Sequence, residues 1–420
     1  MTLQQKESKW RIALCLFAAY ALFACSDDKD VPNIDDEEPP VTEISVPTPN
    51  PYLAAEHYSI THFNSAQTDA FPYAVKSGTY PINPDECDGI WSGPVNLMTL
   101  SSTDPDYMWG MCSDRVSYIR IADGGFKRVA EAALPNGIQM NSEEDLKKLV
   151  NTQYTSTELL YADATEILGR YPQMAMSNGN YVLCDKDNYA YTNARTVICR
   201  YKLKEAGNPA AGIILDKQID MSPYMENPQT LVGMVMTYDG YLVVAAGNGI
   251  AIIDREFSKT PVVKLLPDDQ VITNSASVDD RNGIYIASNS RTPGGKGIMH
   301  KYIWKDGKLS EDENDGAWTA HYDGGPEAPA IKMGYGTGST PTLMGFGDDE
   351  DKLVVITDGS KRMKLVAFWR DEIPEDVVSV DAGNPRIAGQ QEISCGLPAS
   401  TEWIQSEQSV VVSGLSLIHI

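Results

Sequence analysis

The stretch from Tyr241 to Ile253, Tyr-Leu-Val-Val-Ala-Ala-Gly-Asn-Gly-Ile-Ala-Ile-Ile, decides the fold. Two short apolar runs, both containing β-branched residues, flank Gly247-Asn248-Gly249, a combination that suits a tight chain reversal. Both runs are apolar at successive positions, which is typical of strands covered on both faces. The sequence therefore predicts an antiparallel hairpin buried between other layers of the same protein.

The same pattern recurs along the chain. Four more pairs of runs can be recognised, and a further pair begins near Ile404; the four lie within residues 106–121, 180–201, 283–304 and 352–369. The equivalent residues Gly240 and Gly283 are 43 positions apart, close to the length of a four-stranded propeller blade. We therefore predict an all-β fold, a β-propeller of about six to eight blades. An array of β-sandwiches is the alternative.

Longer intervals between the repeats indicate insertions. In one of them, Asn141-Ser142 precedes residues 143–150, whose first turn carries three carboxylates. A capping residue followed by acidic side chains favours a helix start. We expect a short helical insertion there.

The composition fits this fold and excludes one class of partner. The chain has 420 residues, with 34 Lys and Arg against 58 Asp and Glu, and a formal net charge of -24. Nucleic-acid binding requires a basic surface, so we exclude it. The 33 Gly and 25 Pro favour short strands and turns.

Residues 1–24 have the features of a signal peptide. A basic start precedes the apolar run 12–24, which is 13 residues long and too short to span a bilayer. The run ends in Leu22-Phe-Ala-Cys25, which resembles a bacterial lipobox. The resemblance implies cleavage before Cys25 and lipid attachment to its thiol. An ordinary signal peptide with an incidental cysteine is the alternative.

Residues 25–50 are acidic and rich in proline, so we expect a solvated tether. The acidic residues behind Cys25 resemble the surface-export signal of Bacteroidetes lipoproteins. This implies a bacterial envelope protein, lipid-anchored to the outer membrane and exposed at the surface. A periplasm-facing lipoprotein is the alternative.

The propeller domain is predicted to cover residues 56–414. The final residues 415–420, Leu-Ser-Leu-Ile-His-Ile, resemble the translated read-through of a sequencing adapter. We therefore expect an artefactual tail and a truncated last blade.

Two polar segments interrupt the apolar repeats and supply candidate ligand-binding residues. The innermost strands of a propeller line a central channel, where small and polar residues let a ligand approach the backbone. His62 is also a candidate general base, because its reference pKa suits neutral chemistry; a structural histidine is the alternative. The candidates of the first segment are His62, Asn64 and Gln67, and those of the second are Thr337, Ser339 and Thr340.

A second group of candidates lies at predicted turns. Asp358 with Arg362 is a candidate site for a carboxylate or sugar, with Asp358 also a candidate catalytic residue. Asp185, Asn248, Asn289 and Asp358 would ring the channel mouth if all projected to one face, and their oxygens would suit calcium. The alternative is that these are ordinary turn residues.

Cysteine placement suggests one cross-link. Cys184 and Cys199 flank one predicted loop, so we expect a disulfide between them. The chain contains no CxxC motif, which argues against a thiolate zinc site.

Residues 336–342, Gly-Thr-Gly-Ser-Thr-Pro-Thr, followed by the strand Leu-Val-Val-Ile-Thr-Asp358, resemble blades of quinoprotein-like and SMP-30/gluconolactonase-like propellers. Nucleophile-elbow, zinc-protease and phosphate-loop signatures do not occur in the sequence. We therefore expect a propeller that binds a small polar ligand, a glycan or a protein partner. The alternative is an envelope enzyme, a sugar-acid lactonase or quinone-linked dehydrogenase, with a metal in the central channel.

Overall fold

The computed structural model describes residues 45–55, 64–70, 77–79, 81, 83, 89–93, 98–169, 181–225, 231–327, 335–348, 350–375, 377–381, 383–414 and 416–418. These ranges belong to one compact unit, Ile44–Ile420. The predicted signal peptide, Cys25, most of the tether and His62 lie outside the described residues. Within the ranges given, no helix combines the length and apolar character needed to cross a membrane.

Antiparallel sheets follow one another along the chain. In four of them the four strands are hydrogen-bonded in sequence order, so each is a simple meander. The first comprises β1 (Met98–Ser101), β2 (Tyr107–Met111), β3 (Arg115–Arg120) and β4 (Lys127–Ala133); the second β5 (Leu183–Cys184), β6 (Ala190–Ala194), β7 (Val197–Leu203) and β8 (Ile213–Asp220); the third β9 (Leu231–Met236), β10 (Tyr241–Ala246), β11 (Gly249–Asp254) and β12 (Val262–Leu265).

The fourth sheet is an elaborated meander. Its first strand is broken into two short pieces, both paired with the same long strand, and its last position is shared by two strands paired with β16. It comprises β13 (Gln270–Val271), β14 (Ser277–Val278), β15 (Gly283–Ser290), β16 (Lys296–Lys305), β17 (Lys308–Ser310) and β18 (Trp318–Asp323).

Two sheets follow. The fifth is again a four-stranded meander, and the sixth has two strands in the described residues. They comprise β19 (Thr342–Met344), β20 (Leu353–Thr357), β21 (Lys364–Trp369) and β22 (Ile387–Glu392), and then β23 (Val411–Ser413) and β24 (Ser416–Ile418).

The first strands of successive sheets lie side by side. Strand β5 contacts β1 and β9, β9 contacts β14, and β19 contacts β23. The first strands β9 and β19 are buried at every position, whereas the last strands β4, β8 and β22 contain exposed residues. Meanders that meet at their first strands and cover one another's faces form a β-propeller. The predicted all-β fold class is confirmed, and we number the sheets blades 1 to 6 in chain order.

Most predicted hairpins are the second and third strands of a blade. The hairpin at Tyr241–Ile253 is β10 with β11, paired as predicted. The helix predicted over residues 143–150 is α1 (Glu143–Asn151), where the hydroxyl of Ser142 accepts the N–H of Asp145 at 3.1 Å. A second helix, α2 (Thr157–Gly169), follows it.

Blade 2 differs from the prediction. The segment read as a loop between Cys184 and Cys199 contains strand β6, which pairs with β5 on one side and β7 on the other. The two cysteines are therefore two strands apart and offset by two residues in register, which separates them by more than about 9–10 Å, beyond the reach of a disulfide. They do not form the predicted disulfide, and burial raises the pKa of the Cys199 thiol to about 12.

The domain begins earlier than predicted. Residues 45–55, which we call the N-terminal strap, cross the turns between the first and second strands of several blades. The hydroxyl of Thr48 donates to Asp280 in blade 4 at 3.0 Å, and the amide of Asn50 donates to the carbonyl of Met236 in blade 3 at 2.9 Å. Leu53 forms a β-bridge with Asp185 in blade 2. Residues 45–50 thus belong to the propeller rather than to a solvated tether.

A second segment, residues 64–68, runs along the inner strands; we call it the central segment. The carbonyls of Ser65 and Ala66 accept the N–H groups of Val278 and Leu343 at 2.7 and 3.1 Å, and the carbonyl of Thr68 accepts that of Val412 at 2.9 Å. These donors lie on the first strands of blades 4, 5 and 6. A first strand has no sheet neighbour on its central side, so the central segment satisfies N–H groups that would otherwise be unpaired.

Candidate functional site

Of the candidate ligand residues of the first polar segment, Asn64 serves the central segment itself. The side chain of Asn64 donates to the Thr68 hydroxyl at 2.6 Å and accepts the Thr68 N–H at 3.3 Å, which closes a turn. Gln67 is buried at a left-handed φ of 55°, and its Oε1 makes no hydrogen bond among the described residues. His62 lies outside those residues, so its predicted role stays a prediction.

The second polar segment joins neighbouring blades. The Ser339 hydroxyl contacts that of Thr357 at 2.6 Å and donates to the carbonyl of Gln408 at 3.0 Å. The Thr340 hydroxyl donates to Asn274 at 2.9 Å, and the Thr337 carbonyl accepts the Asn289 amide at 2.9 Å. These groups tie blades 4, 5 and 6 together at the start of their first strands.

Asp358 and Arg362 do not form a joint site. Asp358 is buried, accepts the N–H groups of Ser360 and Lys364 at 3.1 and 2.8 Å, and pairs with the Lys364 ammonium at 3.1 Å. Arg362 pairs with Glu392 at 2.6 Å. The aspartate is the turn residue of a β20–β21 connection, as the alternative reading proposed.

The four candidate calcium residues do not ring one channel mouth. Asp185 follows a first strand, whereas Asn248 and Asp358 follow second strands and Asn289 lies near the end of one. Because neighbouring strands are antiparallel, a first strand and a second strand end at opposite edges of a blade. Asp185 therefore lies at one edge of its blade, and the other three residues lie at the opposite edge of theirs. Among the described residues, no three His, Cys, Asp or Glu side chains are grouped as a metal site would require.

A cavity of about 300 Å³ lies where the first strands of blades 4 and 5 end. We call it the inter-blade cavity. Its walls are the turns after β14 and β19, the end of β21, the N-terminal strap and the central segment. The lining residues are Pro47, Thr48, Ala66, Tyr238, Asp279, Asp280, Arg281, Gly345, Phe346, Asp348, Lys352, Arg370 and Asp371.

Arg370 is the deeply buried cation of this cavity, with 6% of its surface exposed. Its Nη2 donates to the carbonyls of Met344 and Gly345 at 3.2 and 2.6 Å. Its guanidinium carbon lies 5.5 Å from the centre of the Phe346 ring. Nε is buried without a hydrogen-bond partner in the part of the chain that the structure describes.

Asp371 is held by two cations. Arg281 pairs with its Oδ2 at 2.5 Å, and Lys301 with its Oδ1 at 3.1 Å. Burial would raise the pKa of Asp371, but hydrogen bonds and charge from Arg281 and Lys301 lower it. Burial lowers the pKa of Lys301, and Asp371 opposes that shift. The trio forms a charged wall beside Arg370, whose carbonyl accepts the Lys301 ammonium at 2.7 Å.

Asp279 forms another part of the lining. Its Oδ1 accepts the N–H groups of Arg281 and Gly283 at 3.0 and 2.8 Å, and its Oδ2 accepts the Tyr285 hydroxyl at 2.7 Å. Burial, together with the charge of Asp279, raises the pKa of Tyr285 well above its usual value. The cavity is therefore a fixed polar site, suited to holding a small polar molecule.

This cavity has no direct signature in the sequence, because segments that are distant along the chain build it. Its lining comes from the N-terminal strap and the central segment, from residues 238 and 279–281, from residues 345, 346, 348 and 352, and from residues 370–371. One local signal was present: Arg370 and Asp371 directly follow the apolar strand that ends at Trp369. Charged residues at the end of a buried strand are candidates for a polar site.

Comparisons with known proteins identify no family. No family model matches the chain. An uncharacterized protein of Archaeoglobus fulgidus is 33% identical over 198 residues, which cover 46% of this chain and 36% of that protein. The chain thus spans about a third of the length of this relative.

Three solved structures illustrate a similarity at low identity. They include a europium-containing methanol dehydrogenase (12% identity, TM-score 0.33, 46% of this chain and 40% of that one). Virginiamycin B lyase from Staphylococcus aureus is also similar (13% identity, TM-score 0.34, 75% of this chain and 78% of that one). So is the Nup133 β-propeller domain of Vanderwaltozyma polyspora (8% identity, TM-score 0.38, 71% of this chain and 73% of that one). With TM-scores this low, the propeller assignment rests on the sheet topology. The closer resemblance to quinoprotein-like and SMP-30-like propellers stays a prediction.

Proposed function

We propose that this propeller is a binding protein for a small polar ligand, which it holds in the inter-blade cavity. The observation that carries the proposal is the buried guanidinium of Arg370 facing a cavity of about 300 Å³. That volume is at the lower end of the range of small-molecule sites. The ion pairs of Asp371 and the hydrogen bonds of Asp279 fix the walls, so little ordering of the protein opposes binding.

Ligand screening with two matched variants tests this function. Thr48 lines the cavity, whereas Val46 lies on the same strap, is 67% exposed and does not line it. Sugars, sugar acids, amino acids and nucleosides are screened for an increase in the melting temperature of the chain from residue 44 onward.

We expect a stabilising compound to lose its effect on Thr48→Trp, whose indole fills the cavity, and to keep it on Val46→Trp. Stabilisation of both variants alike would place the ligand elsewhere. If no compound in the screen stabilises the unaltered protein, the proposal fails.

We also propose that the protein is anchored by lipid to the outer membrane of a bacterial envelope, through Cys25. The lipobox-like Leu22-Phe-Ala-Cys25 and the acidic segment behind it support this location. Expression in a bacterium fed an alkyne fatty acid tests it. Label should be lost in Cys25→Ala and kept in Cys395→Ser, since Cys395 is an exposed cysteine of the propeller. Label on Cys25→Ala would refute the anchor.

The enzymatic alternative has no supporting observation among the described residues. The candidate catalytic residue Asp358 is fully used by its turn. We therefore propose binding alone.

A further inference from the structure

We infer that the ligand of the inter-blade cavity carries a carboxylate, and that Arg370 binds this group. The inference rests on the proposed function and names the chemical class of its ligand.

Arg370 lacks the partner that a buried cation needs. Its hydrogen bonds go to two main-chain carbonyls through Nη2, and no carboxylate among the described residues lies within ion-pair distance of it. Neither Nε nor Nη1 donates to any of those residues. Burying a guanidinium without an anion is costly, and an anion entering the cavity would remove that cost.

The acidic walls cannot supply the missing anion. Asp371 already pairs with Arg281 and Lys301, and Asp279 is occupied by its own turn and by Tyr285. Of the other two lining carboxylates, Asp280 accepts the Thr48 hydroxyl. Lys352, a lining cation that is partly exposed, donates to the carbonyl of Gly347. Arg370 is therefore the buried lining cation whose charge is left for a ligand.

The lining selects a carboxylate over a phosphate. A planar guanidinium fits the planar carboxylate group, and the Phe346 ring beside it restrains the guanidinium. The cavity also contains four carboxylates, Asp279, Asp280, Asp348 and Asp371. They would repel a dianion more strongly than a monoanion.

The experiment follows the Nε–H signal of Arg370 by nuclear magnetic resonance in the folded chain from residue 44 onward. The signal is assigned by its loss in Arg370→Lys. Four probes are added in turn: D-glucuronate, its neutral counterpart D-glucose, acetate and inorganic phosphate. We expect glucuronate and acetate to move the signal in a saturable way, and glucose and phosphate to leave it in place.

Affinity for glucuronate should fall about tenfold or more in Arg370→Gln, because a charge-assisted hydrogen bond is lost. The control Arg120→Gln removes an arginine that pairs with Asp123 beside blade 1 and does not line the cavity, and should bind as the unaltered protein does. If Arg370→Gln does not fold, Arg370→Lys and the titration of the unaltered protein still decide the matter.

The outcomes separate the two proposals. Glucose binding in the cavity with equal affinity in Arg370→Gln would overturn the carboxylate inference and leave the proposed function standing. Preference for phosphate, or an unmoved signal with all four probes, would also overturn the inference. The proposed function itself fails only in the wider screen with Thr48→Trp.

Discussion

Asp185 and Asp279 occupy the same place in two blades and share three contacts. In each, Oδ1 accepts the N–H groups two and four residues ahead, and Oδ2 accepts the hydroxyl of a tyrosine six residues ahead. A sequence shows that an aspartate suits a turn, but not how many donors reach it. Asp185 was therefore a reasonable metal candidate that the structure assigns to the turn, and the same holds for Asp358.

His300 is a buried residue whose ionisation opposes folding. Ser288 donates to Gln270 at 2.8 Å, so it must accept from Nε2–H of His300 at 3.0 Å, and Nδ1 faces the Tyr302 hydroxyl at 3.3 Å. These contacts suit a neutral ring that carries its proton on Nε2 and accepts from Tyr302. Burial, with smaller contributions from the charges of Lys264 and His321, lowers the His300 pKa to about 4.

Below about pH 6.5 the unfolded chain binds a proton at His300, whereas the folded protein does not until the pH approaches 4. The free energy of unfolding is therefore unaffected by this group above about pH 6.5 and decreases as the pH falls from 6.5 towards 4. The loss from this group is about 3 kcal/mol, from about 1.4 kcal/mol for each pKa unit. We expect His300→Gln to lose correspondingly less stability than the unaltered protein between pH 7 and 4, in urea unfolding. His321→Gln, at an exposed position, removes only the smallest of the contributions that lower the His300 pKa and should lie close to the unaltered protein. Parallel pH profiles of both variants would contradict the assignment.

At the scale of elements, strands with strong apolar runs were predictable and polar ones were not. The pair β10–β11 was visible because its residues are apolar at almost every position. Strand β6, Ala-Tyr-Thr-Asn-Ala, is buried throughout yet carries a polar Thr-Asn pair, so its sequence does not indicate a strand. The disulfide predicted across this segment is wrong for that reason. The N-terminal strap has no periodic pattern of apolar residues. Its position is set by contacts with turns far along the chain, and such contacts cannot be predicted from the local sequence.

The strap requires close approach at Gly240. This residue has φ of 86°, and an added Cβ would lie 2.6 Å from the ring of Tyr52 in the strap. Gly207 has φ of 70° and open space around the same position. Both substitutions by alanine incur the backbone penalty, but only Gly240→Ala also displaces Tyr52.

We therefore expect Gly240→Ala to be less stable than Gly207→Ala by about 1–3 kcal/mol, the usual cost of overpacking. Its strap should also be cut sooner in limited proteolysis. Denaturant unfolding of the two variants measures the difference. Equal stabilities would mean that the strap does not pack on blade 3 as described.

For the whole molecule, the repeat predicted the propeller, but not what joins its blades. The strap contacts blades 2, 3 and 4, and the central segment bonds to blades 4, 5 and 6. Neither the strap nor the central segment belongs to the repeat, so the repeat pattern does not predict them. The inter-blade cavity escaped prediction for the same reason, since the strap and the central segment form part of its wall.

Chains that begin at residue 44 and at residue 56 test the role of the strap. The longer chain keeps the contacts of Thr48, Asn50 and Leu53, whereas the shorter one exposes the turns that they cover. We expect the shorter chain to melt several degrees lower, since a loss of a few kcal/mol shifts the melting temperature of a large domain by about 2–4 °C per kcal/mol. Identical melting temperatures would show that the domain begins at 56 as the sequence suggested.

The measurement that tests the central claim most directly is a crystal structure of the chain from residue 44 onward, grown with D-glucuronate. We expect the sugar acid in the inter-blade cavity, with its carboxylate within hydrogen-bond distance of Arg370, about 3 Å. A sugar bound instead beside Asn274 and Thr340, or an inter-blade cavity that stays empty at saturating glucuronate, would contradict the account.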